Sequence, residues 1–183
     1  MSAKKLNTKT IKMSTKTIKK STITKKETAT KSVVIPRVGS KAPDFTLPDQ
    51  DGKPVTLSKL KKRVVLYFYP RDDTPGCTIE AKGFSAEYAA FQKKGVLVYG
   101  VSKDNAKSHC AFRAKYGLKF PLLSDEKGAV IQKYGCWVEK SMYGKKYMGI
   151  QRATFLIGAD GKVEKVWPKV SPEGHSAEIL KGL

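Results

Sequence analysis

With 183 residues, of which 40% are apolar, the chain can bury the core of one ordinary domain with some length left over. Lys and Arg number 36 against 16 acidic residues, a formal net charge of +20, and three irregularly spaced Cys argue against a disulfide-stapled secreted framework. No apolar run is long enough for a membrane span, and no apolar h-region marks a secretory signal, so a reducing, cytoplasmic setting is expected.

Half of the excess charge sits at the start. Residues 1–38 hold ten Lys, Arg37 and a single acid, Glu27. A seven-residue unit recurs there, from Thr8 to Ser14, Thr15 to Ser21 and, degenerately, Thr22 to Thr28. Each copy offers isolated Ile residues rather than paired heptad positions, so no coiled coil is expected. So few apolar groups among so many like charges cannot offset the entropy of ordering, and residues 1–32 read as a disordered Lys/Thr/Ser-rich tail.

The domain is expected over 33–183, beginning at Val33-Val34-Ile35-Pro36. Residues 63–69 form a β-branched and aromatic run suited to a strand buried on both faces. A helix is predicted over 77–92, with Ile79, Phe84, Tyr88 and Phe91 on its core side, and Gly95 closing the segment. Val96 to Val101 is a second buried strand, followed by a helix from an Asp104 cap to Tyr116, stopped by Gly117. Leu122-Leu123 reads as a short strand, 126–134 as a short helix and Ala153–Ile157 as a strand. Asp160-Gly161 signals a hairpin into Lys162–Trp167, and 173–183 a closing helix. This order implies an α/β fold, a central mixed sheet flanked by helices.

The chemistry concentrates in Tyr69-Pro70-Arg71-Asp72-Asp73-Thr74-Pro75-Gly76-Cys77-Thr78-Ile79-Glu80. A buried strand ends, a loop follows, and Cys77 falls in the first turn of the next helix. Unpaired backbone N–H groups and the positive end of the helix dipole favour the thiolate there, the nucleophilic form of Cys. Thr74 can bring a hydroxyl to the sulfur or to an incoming oxygen, and Pro70 and Pro75 can fix the loop and shield the sulfur from water. Taken alone, the loop leaves open an inert small buried Cys.

The string Pro70-x-x-x-Thr74-x-x-Cys77 resembles the active-site pattern of the peroxiredoxins. The longer run from Tyr67 through Thr78, with Glu80-Ala81, resembles the Q type, also called the bacterioferritin comigratory protein subfamily. The resemblance extends from Val38 to the C-terminus. It includes Ala42-Pro43-Asp44-Phe45, Pro121-Leu122-Leu123-Ser124-Asp125, Glu139-Lys140-Ser141-Met142-Tyr143-Gly144, and Gly149-Ile150-x-Arg152-x-Thr154-Phe155. It implies a thioredoxin-like fold and reduction of hydrogen peroxide and organic hydroperoxides through a Cys77 sulfenic acid. It also implies that Thr74 and Arg152 position the peroxide, Pro70 shields the thiolate, and thioredoxin or a similar dithiol recycles the enzyme. A fixed guanidinium beside a thiolate suits that chemistry. Glu80 matches an acidic position expected to support the loop or Arg152, and a monomer is the expected state.

One departure matters. Many Q-type members resolve the sulfenic acid with a second Cys five residues on, and here that position is Lys82. Cys110 lies in the 104–116 helix, nearly opposite Phe112 and Tyr116, and resembles the resolving Cys that a second subgroup carries on that helix. It is expected to close an intramolecular disulfide after the first turn of the Cys77 helix unwinds, with Gly76 and Gly83 flanking that turn. A one-Cys cycle using an external thiol stays as the alternative. Cys136 reads as a small apolar residue without a redox role. His109 reads as a solvated helix His. No metal or other cofactor is implied, because His109, Cys110 and His175 lack zinc spacing and the glycines form no phosphate loop. A rival class is non-specific nucleic-acid contact through residues 1–32; the same basic tail could instead target an organelle or only aid solubility, so a nuclear, nucleoid-associated or organellar location stays open beside the cytoplasmic one.

Overall fold

The computed structural model describes Met1 and residues 34–183, so the reading of residues 1–32 as a disordered tail lies outside the described residues. Nine strands and five helices follow one another over the described residues. The central sheet is built from β3 (Arg63–Phe68), β4 (Val96–Ser102), β5 (Leu122–Ser124), β8 (Ala153–Ile157) and β9 (Val163–Trp167). Its order is β5-β4-β3-β8-β9, with β3, β4 and β5 parallel and β8 and β9 antiparallel additions, which makes the sheet mixed as expected.

The two-residue alternation of β3 sorts its side chains into two cores. Val64, Leu66 and Phe68 join Phe155, Ile157, Ile131 and Tyr134 on one face. Val65, Tyr67 and Tyr69 join Phe84, Phe91, Phe112, Phe120 and Ile179 on the other. The second face carries α2 (Pro75–Lys93), α3 (Ala106–Tyr116) and α5 (His175–Lys181), each supplying a stripe of apolar side chains. Opposite Tyr67, β4 has Gly100. A Cβ built there would lie 2.7 Å from the Tyr67 ring and 2.9 Å from Leu122, so the glycine is what lets Tyr67 stack on Phe84 at 4.7 Å between centroids.

Several sequence expectations need correcting. Ile79 is 44% exposed and belongs to no core, whereas Phe84 and Phe91 are fully buried. The cap of α3 is Asn105, whose side chain accepts from the Ser108 amide at 2.9 Å. Asp104 instead accepts from the Ser102 hydroxyl and the Asp72 amide. The short helix α4 (Ala129–Lys133) starts later than expected, because the Asp125 carboxylate caps it by accepting from the amides of Ala129, Val130 and Ile131. Four strands and a short helix form where the sequence carries no strong apolar period. The strands are β1 (Thr46–Pro48) and β2 (Pro54–Thr56), paired as a hairpin, and β6 (Trp137–Met142) and β7 (Lys145–Ile150), paired as another; the helix is α1 (Leu57–Leu60). A Cβ at Gly83 would meet the Ser176 hydroxyl at 2.9 Å, so this glycine also marks the close approach of α5 to α2.

Gly100→Ala is expected to lower unfolding free energy by about 1–3 kcal/mol, the usual cost of forcing a methyl into a filled core. Urea denaturation of the two proteins measures it; an unchanged midpoint would mean that Tyr67 has room to move.

Candidate active site

Strand β3 runs out at Phe68, and the buried Tyr69 leads into the loop Pro70–Thr74. Thr74 is the extended residue before α2, Pro75 is the first helical residue and Cys77 the third. Proline suits that first position, since its missing N–H would have had no helical partner. The Gly76 and Cys77 amides are likewise without helical acceptors, while the Thr78 amide already bonds the Thr74 carbonyl at 2.8 Å. The helix therefore presents donors and positive potential beside the sulfur.

Cys77 is only 2% exposed. Its Sγ accepts from Arg152 Nη2 at 3.2 Å, and Arg152 Nη1 donates to Glu80, one turn further along α2. Arg152 sits in the two-residue link between β7 and β8, so the antiparallel return of the chain carries a guanidinium to the start of α2, 75 residues away in sequence. Such a partner stabilises a buried negative charge that bulk water cannot reach. Glu80 is buried. Burial pushes its carboxyl up to about 7, against the lowering pull of Arg152. Gly76 completes the close packing: a Cβ there would lie 3.4 Å from Arg152 Nη2 and 3.3 Å from Pro172.

Thr74 donates its hydroxyl to the Arg71 carbonyl at 3.1 Å, which keeps its oxygen lone pairs available as acceptors. Pro70 is exposed. With Arg71, Lys103, Trp137, Lys140 and Met148 it lines an open groove of about 540 Å³. Lys140 also stands in the wall of this groove. Its Nζ bonds the Ile150 carbonyl at 2.6 Å, and burial followed by repulsion from Arg152 lowers its pKa.

The other cysteines separate clearly. Cys136 is buried, and burial pushes its thiol up to about 12, in keeping with an unreactive packing residue. Cys110 is exposed and unpaired, and donates to the Gln50 carbonyl at 3.0 Å. The stripe of α3 that faces the Cys77 loop is the one holding Ser108 and Lys115, which bond Asp72 and Asp73. Cys110 lies about 200° round the helix from Ser108, on the flank over the β1–β2 turn.

His109 corrects the sequence reading most sharply. It is fully buried rather than solvated, with Nδ1 2.9 Å from the Asp72 carboxylate. Tyr69 and Ser108 donate to the same carboxylate, each at 2.7 Å. Nothing in the spacing of residues 69, 72 and 109 announces this cluster. Among the described residues, no group of three or more His, Cys, Asp or Glu is placed to hold a metal ion, and no helix is long and apolar enough to cross a membrane.

A family model described as the AhpC/TSA family matches residues 38–166. The chain is 53% identical over 147 residues to a protein of Coxiella burnetii called putative peroxiredoxin bcp, covering 80% of this chain and 97% of the relative. It is 44% identical over 148 residues to peroxiredoxin Bcp of Escherichia coli, covering 80% and 95%. Among solved structures it superposes on the bacterioferritin comigratory protein of Xanthomonas campestris with a TM-score of 0.74 and 39% identity, covering 81% of this chain and 95% of the other. That protein is described for its alkyl peroxide reduction activity from trapped intermediate and ligand complexes.

The buried Glu80 sets a pH dependence of stability. Its folded value, about 7, lies above the ordinary 4.5, so the folded state holds that proton more tightly than the unfolded chain. Its contribution is complete below about pH 4.5 and lost as pH rises through 7. Glu80→Gln, which cannot titrate, is expected to flatten the decline in stability across that window. Urea unfolding of both proteins at pH 5 and pH 8 tests this, and parallel declines would assign the slope to other groups.

Proposed function

The chain belongs to the AhpC/TSA family, in its Bcp/peroxiredoxin Q branch, and from that premise we propose that Cys77 is the peroxidatic residue of this thiol-dependent peroxidase. The observation that carries the assignment is the Arg152 guanidinium 3.2 Å from a Cys77 sulfur seated in the first turn of α2. The thiolate attacks one oxygen of a hydroperoxide, hydrogen peroxide or an organic one. The S–O bond forms as the O–O bond breaks, the departing oxygen takes a proton to leave as water or an alcohol, and Cys77 becomes a sulfenic acid. Arg152 orients the attacked peroxide and offsets charge on the oxygen that leaves. Thr74, its own proton committed to Arg71, accepts from the peroxide O–H. Pro70, in the loop before α2 and on the wall of the neighbouring groove, is assigned the shielding of the thiolate. No step calls for a metal or an organic cofactor, because the sulfur carries both electrons.

The sulfenic acid is then resolved by Cys110: its thiol condenses with Cys77 to a disulfide and releases water, and thioredoxin or a similar dithiol reduces the bridge. A disulfide brings its two Cα atoms within about 7 Å. Because Cys110 sits on the flank of α3 turned away from the Cys77 loop, this route needs α3 to shift as well as the first turn of α2 to unwind. That placement favours a second reading, a one-Cys cycle in which an external thiol attacks the sulfenic acid directly. The enzyme works as a monomer in a reducing, cytoplasmic setting.

Mass spectrometry after one equivalent of peroxide separates these routes. Wild type is expected to show a Cys77–Cys110 bridge, Cys110→Ser a trapped Cys77 sulfenic acid, and Cys77→Ser no oxidation. A sulfenic acid without a bridge in wild type would leave the peroxidase in place and make it one-Cys. An unoxidised Cys77 would sink the assignment.

Residues 1–32 carry a separate proposal, non-specific contact with nucleic-acid phosphates, supported by their ten Lys against one acid. Retention on DNA should then weaken steeply with salt and vanish when residues 1–32 are deleted. No retention by the full chain at low salt would end this proposal.

A further inference from the structure

The Asp72 carboxylate is nearly buried, five residues before Cys77, in the loop that must move if a thiol is to reach a sulfur that is 2% exposed. It accepts from the Tyr69 hydroxyl at 2.7 Å, the Ser108 hydroxyl at 2.7 Å and His109 Nδ1 at 2.9 Å. The Asp72 amide donates to Asp104 at 2.9 Å. Both ends of this residue are therefore tied to the segment from Asp104 to His109, which leads from β4 into the first turn of α3. Burial alone would raise the Asp72 carboxyl, yet the bonds from His109, Tyr69 and Ser108 hold it below its ordinary value. Asp73, next in the chain, sits in the left-handed region at φ 54°, a strained conformation for a residue with a Cβ. Its carboxylate bonds Lys115 and Tyr116 of the same helix, but at the surface, where such pairs contribute little.

We propose that Asp72 is a positioning residue for the second half of the cycle: it clamps the peroxidatic loop onto α3, and release of this clamp exposes the Cys77 sulfenic acid to the thiol that resolves it. This rests on the reading of Cys77 as peroxidatic. While the clamp holds, the loop stays folded around Cys77 and the first turn of α2 keeps the sulfur against Arg152. When it opens, the strain at Asp73 is relieved, the loop and first turn swing out, and a thiol condenses with the sulfenic acid to give a disulfide and water. A second peroxide competes for the same sulfenic acid, converting it to sulfinic acid with release of water or an alcohol. The strength of the clamp thus divides each turnover between resolution and over-oxidation. The two elements it joins are also the two that must rearrange if Cys110 is the resolving thiol.

The test uses the full chain carrying Cys110→Ser, so that dithiothreitol is the only resolving thiol. The protein is oxidised with one equivalent of hydrogen peroxide and mixed with dithiothreitol, and Cys77 sulfenic acid is followed by quenching and mass spectrometry. Adding Ser108→Ala removes one charge-assisted bond from the clamp, and thiol capture is expected to quicken about tenfold, with sulfenic acid formation changed less than about twofold. Sulfinic acid per turnover should fall, and amide exchange over residues 70–78 should quicken in proportion. Ser108→Thr keeps the hydroxyl and should restore the parent rates. Lys115→Ala, which cuts only the exposed tie, should leave capture near the parent rate. Asp72→Asn, with the same shape and a weaker acceptor, is the second variant should Ser108→Ala fold poorly. Unchanged capture and exchange in folded Ser108→Ala or Asp72→Asn, or an equal gain in Lys115→Ala, would overturn the clamp. Absence of sulfenic acid before any thiol is added would overturn the Cys77 reading itself, and is seen at an earlier step.

Discussion

The site depends on one contact, a guanidinium held against a sulfur that water cannot reach. Cys77 is almost wholly buried, and a charge in such a place is costly unless a fixed partner faces it. Arg152 is that partner, and Glu80 in turn holds the guanidinium, so three ionisable groups occupy one small, nearly dry volume. Their balance leaves Glu80 with its proton held up to about pH 7. The sheet makes this arrangement possible. Antiparallel pairing of β8 against β3, with Phe68 opposite Ala153, brings the residue before β8 to the end of β3, where α2 begins.

The same burial sets up a conflict. On the proposed assignment of Cys77, a sheltered sulfur suits attack on a small peroxide, but the product must meet a second sulfur. The loop before α2 is held against α3 by one buried carboxylate with three side-chain donors and by one exposed ion pair. These two ties differ in character: the buried one is directional and desolvated, while the exposed one is screened and weak. The strained backbone at Asp73 lies between them. A loop built this way is stable when closed and has a defined point at which to open.

Elements that bury an apolar stripe were readable without a structure. The runs at 63–69 and 96–101 became β3 and β4, and the Phe84 and Phe91 spacing marked α2, because in each case the side chains that form the element also fill the core. The β6–β7 hairpin was not readable, since most of its side chains face solvent and only backbone pairing defines it. Ile79 misled for the opposite reason: an apolar side chain at a helical spacing need not face the core.

Within the site, the local chemistry was legible from residues close together in the chain: a strand, a loop pinned by two prolines, and a Cys in the first turn of a helix. Membership of a peroxidase family was likewise legible in the motifs. Only the packed structure shows that His109 is buried against Asp72 and that Cys110 turns toward Gln50. The physical reason is that burial and charge pairing belong to neighbourhoods in space. A polar residue on a helix looks the same in sequence whether its neighbour across the gap is water or a carboxylate.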